Sequence, residues 1–262
     1  GYVGSPIAIS ISSTMQPLLL GAYVYFIDGR ECWGGIDLRT ALENWVPMLK
    51  LSIPGVIMIE AEYLAFEVLT ILAARFGTEA LAAQSITSNV ASLVFQFPFS
   101  IAVAVSTRIG HWLGKEDLHG AKTTTKVSTL LASLIAVTNW LVLYFKRDAI
   151  SRIFTDDEAV IAMSDKVLAV ASVNQLVDAL NVICAGVLRG QGRQKIGSIL
   201  NLVSYYGVAL PVGYVLAFHT SLEFLGLWYG LICGVTFLVL VQITAVRFSD
   251  WNNVLLKAKE SR

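Results

Sequence analysis

Residues 51–74 read LSIPGVIMIEAEYLAFEVLTILAA, a run long enough to cross a bilayer that nonetheless holds three carboxylates, Glu60, Glu62 and Glu67. A charged side chain at bilayer depth costs roughly 2.5–3.5 kcal/mol on insertion scales. Three ionised, lipid-facing carboxylates would therefore cost on the order of 10 kcal/mol. The chain can carry them only where they face a protein interior or a water cavity. The run is thus both a membrane span and the first place to look for function.

The rest of the chain sets the context. It is 55% hydrophobic and 15% charged, with a mean hydropathy of +0.66, whereas soluble domains carry about 25% charged residues. The composition reads as an all-α transmembrane protein. Nineteen basic residues balance 19 acidic ones, so no basic field points to nucleic acid. Cys32, Cys184 and Cys233 show no metal-ligand spacing. Cys184 and Cys233 lie in apolar runs and read as small buried residues. No GxxxxGK[ST] loop suggests ATP-driven transport, and no HExxH or Cys/His cluster suggests an intramembrane metalloenzyme. His111, His119 and His219 fall in loops or at helix ends and read as surface residues.

A spanning helix needs about 20 apolar residues. Seven stretches qualify: 2–27, 45–74, 80–107, 127–145, 167–188, 196–218 and 224–246. Of these, only 45–74 and 167–188 carry carboxylates inside the span. With seven spans the loops alternate sides, and 14 of the 19 basic residues fall on one side. The positive-inside rule then places the C-terminus in the cytoplasm. Gly1 opens directly into an apolar segment with no basic leader, as expected of a fragment.

The connections differ in kind. Residues 28–44 are long enough to pass between two helix bundles, and WGGIDLRTALENW within and beyond them suits an amphipathic helix on the membrane surface. FTDDEAV supplies an acidic N-cap for the helix leading into 167–188. RGQGRQK, at 189–195, is a tight, basic, glycine-rich turn.

Helical geometry sorts the polar residues. Glu60 and Glu67 are seven apart and share a face, while Glu62 points roughly 160° away from Glu60. Asn174, Asp178 and Asn181 fall at i, i+4 and i+7 on one stripe, with Gln175 beside them. An acid flanked by amides marks either a hydrated functional pocket or a polar lock between helices. Ser85, Ser88, Asn89, Ser92 and Gln96 line one side of 80–107. That pattern fits close helix packing or, in the less common case, a polar path. Pro54, Pro98 and Pro211 favour bends in their spans. Asn201, Tyr205 and Tyr206 form a polar patch in an uncharged span, too central for interfacial anchors, so the two tyrosines are candidates to face a substrate.

These motifs resemble a known family. The run LKLSIPGVIMIEAEYLAFEVLTIL is similar to the seventh helix of MATE transporters, the multidrug and toxic compound extrusion family. It carries Glu62-Tyr63 followed by Phe66-Glu67, as the eukaryotic, including fungal, branch does. PFSIAVAVSTRIGHWLGKEDLHGAK is similar to the family's pattern after its eighth helix. VDALNVICAGVLRGQGRQKIGSILNLVSYYGVALPVGYVL is similar to its tenth and eleventh helices. The resemblance covers nearly the whole chain. It implies a twelve-helix fold of two lobes. Residues 1–27 would be the last helix of the N-terminal lobe, 28–44 a cytoplasmic inter-lobe linker, 45–246 the six-helix C-terminal lobe, and 247–262 a cytoplasmic tail.

The resemblance also implies a role. The chain would belong to a secondary antiporter, not an enzyme, that exports organic cations, drugs or other xenobiotics in exchange for protons or sodium. It implies cation- or proton-coupling acids at Glu62 and Asp178, with Glu67 as a further acid. Asn174, Asn181, Tyr205 and Gln96 would shape the cavity, and no metal or organic cofactor is expected. Glu60 has no counterpart, and Leu64 departs from the aromatic pair of many animal members. The expected setting is the plasma or vacuolar membrane, with lipid around the lobe and a missing N-terminal lobe as partner. The rival readings are a lipid-linked precursor flippase and a non-transporting scaffold. A flippase should show mid-span Lys or Arg for phosphates, and none lies mid-span in the seven stretches, Lys50 falling near one end of 45–74.

Overall fold

Each apolar run forms a helix in the computed structural model, which describes residues 4–27 and 45–260. The expected inter-lobe linker, its surface helix and Cys32 lie outside the described residues. The chain divides into two units, Gly1–Pro47 and Met48–Arg262. The first contains α1 (Gly4–Phe26), where Ser10 and Thr14 turn their hydroxyls back onto the carbonyls of Pro6 and Ser10 at 2.9 and 2.8 Å. Satisfying polar groups within the helix in this way suits a segment surrounded by lipid.

From Met48 onward the second unit comprises the helices α2 (Trp45–Ala73), α3 (Thr78–Gly114), α4 (Leu118–Phe154) and α5 (Glu158–Gly190). They are followed by α6 (Gln194–Leu202), α7 (Leu210–Phe218), α8 (Phe224–Arg247) and α9 (Trp251–Glu260). Among the described residues there is no strand. Among the described residues, six helical stretches are long and apolar enough to cross a membrane. The 29-residue α2 stands apart from them because it carries four charged residues, Lys50, Glu60, Glu62 and Glu67. The chain is an integral multi-pass membrane protein. Helices α3, α4 and α5 reach well beyond the stretches 80–107, 127–145 and 167–188. Hydropathy marks only the part of a helix inside the apolar slab, and polar ends do not stop a helix.

Helix α5 is the axis of the second unit, packed against α3, α4 and α8. Lipid offers little hydrophobic drive between helices, so close approach of small residues has to hold them. Gly186 and Gly190 of α5 provide it against α3. A Cβ on Gly186 would lie 2.6 Å from the Ala102 carbonyl oxygen. Gly226, Gly230 and Gly234 of α8 do the same against Ala209, Gly213 and Ala217. Between these contacts the largest apolar cluster gathers Leu69, Trp228, Leu231 and Leu238. The outward faces keep large apolar residues exposed, such as Leu130 and Phe145 of α4, as a lipid boundary requires.

Capping sets the helix starts. Asp157 accepts from the N–H groups of Ala159 and Val160 at 2.9 and 3.4 Å, the acidic cap read from FTDDEAV. Asp117 caps α4 by accepting from the Gly120 N–H at 3.0 Å. Pro54 and Pro98 lie inside α2 and α3 without ending them.

Two readings need correction. The span 196–218 is not one regular helix: α6 and α7 are joined by a π-helical turn, Val203–Ala209. There the Leu210 N–H donates to the Tyr205 carbonyl, five residues back. Pro211 has no N–H to give and crowds the carbonyl four residues before it, so a wider turn forms. Cys184 is buried, but Cys233 is exposed because it sits on the outward side of α8. The stretch 247–262, read as a tail, carries α9, whose Val254 is buried beside Leu113 and whose Lys259 pairs with Glu116 at 2.7 Å. His111, His119 and His219 are exposed, as expected.

Candidate functional site

Helix α2 packs through one stripe, Met58, Ala61, Ala65 and Leu69, all at most 3% exposed. Successive positions 3 and 4 apart keep this stripe facing inward, and Glu62 falls on its edge. Glu60 and Glu67 lie on the exposed side, as their seven-residue spacing dictated. The turn of α2 that carries Glu62 is fixed from α6. Asn201 donates its Nδ2 to the Met58 carbonyl at 2.6 Å, and Gln242 of α8 donates to Asn201 Oδ1 at 3.3 Å.

Across from it runs the α5 stripe. Asn174, Asp178 and Asn181 are all buried, and Asn181 Nδ2 donates to Asp178 Oδ1 at 3.3 Å. The Glu62 carboxylate has Asp178, Tyr205 and Arg189 as its electrostatic neighbours. Tyr205, delivered by the π-helical turn, is 1% exposed, and its hydroxyl faces the Glu62 carboxylate without a close, well-aligned hydrogen bond among the described residues. The side-chain oxygens of Asn174, Gln175 and Asn181 are without partners there. Two carboxylates and several unsatisfied amide oxygens therefore gather where α2, α5 and the π-helical turn meet. Such a set suits a proton, water or a cation.

A cavity of about 290 Å³ opens beside this cluster. Glu62, Glu67 and Asp178 border it, with Tyr63, Phe66 and Phe95 supplying aromatic faces and Gln96 its rim. The polar side of α3 read from the sequence contributes Ser88, Ser92 and Gln96 to this lining. A second, small space of about 30 Å³ joins Glu62 to Asn181, Asn201 and Arg189. Asn174 and Tyr205 border neither space. Tyr206 is 37% exposed and points outward. Among the described residues, no three His, Cys, Asp or Glu side chains come together as a metal set.

Sequence reasoning missed the supports. Trp228 Nε1 donates to Gln84 Oε1 at 3.0 Å, and Gln84 Nε2 reaches Ser88 at 3.1 Å and Thr70 at 3.4 Å. This bridge joins α8, α3 and α2 along the cavity wall, with Phe66 edge-on to Trp228 at 6.2 Å. The available signal was a lone amide in an otherwise apolar span for Gln242, whereas Gln84 was one of several polar residues in its span. Arg189 also went unassigned, because it was read only as part of a turn.

The MatE family model matches residues 54–215. The chain belongs to the MatE family. This MatE chain is 35% identical over 260 residues to the multidrug and toxin extrusion protein 1 of Homo sapiens, covering 99% of the chain and 45% of that relative. It is also 35% identical over 259 residues to an uncharacterised transporter of Saccharomyces cerevisiae, covering 99% of the chain and 37% of the relative. Its fold superposes on a eukaryotic MATE transporter, AtDTX14, with a TM-score of 0.92 at 25% identity, covering all of the chain and 59% of that protein. The MatE chain thus spans less than half the length of the curated relatives it matches. The all-α membrane fold expected from the sequence is the fold of these relatives.

Proposed function

We propose that this chain forms part of a secondary antiporter that exports organic cations and other xenobiotics in exchange for protons. The observation that carries the reading is the lining of the 290 Å³ cavity. It holds three carboxylates, Glu62, Glu67 and Asp178, and aromatic faces, with no Lys or Arg among the described lining residues. Negative charge in a low-dielectric setting attracts a cation, and aromatic faces add cation–π attraction. The same carboxylates can take up a proton when the cation leaves, which couples the two movements.

Glu62 is assigned as the proton and cation carrier and Asp178 as its partner. Tyr205, Asn174 and Asn181 hold the pair in place, and Glu67 and Gln96 stand at the cavity rim. Oxygen ligands serve Na⁺ as well as protons, so sodium is the alternative coupling ion. Alternating access would come from this lobe rocking against a second lobe like those of its longer relatives. The C-terminus would be cytoplasmic, in a plasma or vacuolar membrane. An acidic cavity is a poor fit for the phosphates of a flippase substrate.

The test is efflux of a fluorescent organic cation under an imposed pH gradient. Wild type would be compared with Glu62→Gln and Asp178→Asn in the full-length protein. Gradient-driven efflux abolished by both substitutions is expected. Efflux unaffected by either, in a correctly inserted protein, would overturn the mechanism and favour a scaffold. Efflux driven by a sodium gradient instead would replace the coupling ion.

A further inference from the structure

The basic turn between α5 and α6 does not line the 290 Å³ cavity, although its Arg189 neighbours Glu62, and it borders a larger concavity. A concavity of about 630 Å³ opens where the ends of α3 and α5, the start of α6, Leu51 of α2 and helix α9 come together. Its charged lining is Arg189, Arg193 and Lys257 against Asp250 alone. The Asp250 carboxylate is engaged, because Oδ1 caps α9 by accepting from the Asn252 and Asn253 N–H groups at 3.0 and 3.2 Å. The negative helix ends nearby are also closed off. Carbonyls at the end of α5 accept from the N–H groups of Gln191, Gly192 and Arg193, and those at the end of α3 from Lys115, Glu116 and Asp117. Glu62 offsets Arg189 from the small space beside it, and the surplus positive charge in the concavity comes from Arg193 and Lys257.

Two donors in this lining have no acceptor. Arg189 Nη2 and Gln191 Nε2 are buried without a hydrogen-bond partner among the described residues, and Gln191 is only 7% exposed. Gln191 is held in place by its other end, where Oε1 accepts from Arg193 Nη1 at 3.4 Å and from Ser249 Oγ at 3.3 Å. The Arg193 guanidinium is tied to the Ala245 carbonyl at 3.3 Å and to the Ser249 hydroxyl. Fixed cations beside buried donors that lack acceptors make a site for a group rich in acceptors and negative charge. The concavity has room for it.

We propose that this concavity binds a phosphate group. Its oxygens would accept from Arg189 Nη2 and Gln191 Nε2, and its charge would lie against Arg189, Arg193 and Lys257. The group can arrive as free phosphate or as the headgroup of an anionic phospholipid, since both present the same oxygens. The site is separate from the acidic cavity, although Arg189 also borders the small space beside Glu62.

The experiment follows the melting temperature of the intact gene product. One arm titrates inorganic phosphate in a zwitterionic detergent, and the other compares phosphatidylcholine nanodiscs with and without phosphatidic acid. Variants are Arg189→Gln, Lys257→Gln and, as a control outside the lining, Lys122→Gln. Loss of a charge-assisted contact predicts saturable stabilisation weakened about tenfold in apparent affinity by Arg189→Gln and about fivefold by Lys257→Gln, with Lys122→Gln unchanged. That pattern with inorganic phosphate assigns a soluble anion. The same pattern with phosphatidic acid alone assigns a lipid headgroup. Lys257 is exposed, so its variant keeps the test alive if Arg189→Gln fails to fold. Absence of stabilisation in both arms, or equal weakening by Lys122→Gln, would overturn the proposal.

Discussion

The Asn201 side-chain amide donates to the Met58 backbone carbonyl at 2.6 Å, pinning α6 to the turn of α2 that carries Glu62. Gln242 completes the tie by donating to Asn201 Oδ1 at 3.3 Å. Close by, Gly197 leaves room for the Met58 thioether, since a Cβ there would lie 2.3 Å from the sulfur. Asn201→Leu removes the donor to Met58 and the acceptor of Gln242 at once. Leaving a buried amide unpaired costs about 1–3 kcal/mol. The variant should melt several degrees lower in detergent, and a wild-type melting curve would show that the tie carries no stability.

The acidic cavity predicts how cation binding depends on pH. A bound cation favours the ionised carboxylate, and a proton on the same group opposes the cation. Affinity for an organic cation should therefore rise with pH through the range where Glu62 and Asp178 release their protons, with proton uptake by buffer visible in calorimetry. Glu62→Gln and Asp178→Asn should each flatten that dependence. An unchanged slope in both variants would place the linked proton elsewhere.

Glycine substitutions should split by site. A Cβ on Gly230 would lie 2.2 Å from the Gly213 Cα, where neither backbone can yield cheaply. Gly230→Ala should cost about 3 kcal/mol or more, the upper end of overpacking penalties, and abolish a monodisperse peak in size-exclusion chromatography. Gly110 has nothing within 4 Å of its would-be Cβ. Gly110→Ala should leave stability unchanged or raise it by about 0.5–1 kcal/mol through helix propensity.

The Gln84–Trp228 pair lends itself to a double-mutant cycle. Gln84→Leu leaves the Trp228 indole N–H buried without its acceptor, at a cost of about 1–3 kcal/mol. Trp228→Phe removes the donor as well, so the double variant should be more stable than the sum of the two single losses predicts. Strict additivity in the melting temperatures would mean that the 3.0 Å bond contributes nothing.

The span pattern was legible because each apolar run is uniform and its breaks carry charge or glycine. Glu62 and Asp178 were legible because a carboxylate inside such a run has few explanations. The separation of Glu60 from Glu62 followed from helical spacing alone, but spacing did not show that Glu62 and Glu67 border one cavity. What the residues did not announce was partnership across helices. Nothing local ties Asn201 to Met58, or Gln84 to Trp228, because those pairs are 143 and 144 residues apart. The glycines at 226, 230 and 234 were visible at four-residue intervals, but which helix they receive depends on the fold. Helix α9 was missed because a short polar helix looks like a tail until its single buried face finds a neighbour.

The π-helical turn at Val203–Ala209 works as a phase corrector. Asn201, Tyr205, Ala209, Gly213 and Ala217 are all buried, at steps of four residues. On a regular α-helix such a series precesses by about 40° per step and would wind about 160° around the axis from first to last. One wide turn takes roughly 100° out of that winding, because it absorbs an additional residue. The first part of the span can then meet α2 while the last part meets the glycines of α8. Removing a single residue between Val203 and Ala209 would abolish the wide turn yet leave Asn201 facing Met58 and Gly213 seated on Gly230, whereas a regular helix of unchanged length would swing Asn201 about 100° away from Met58.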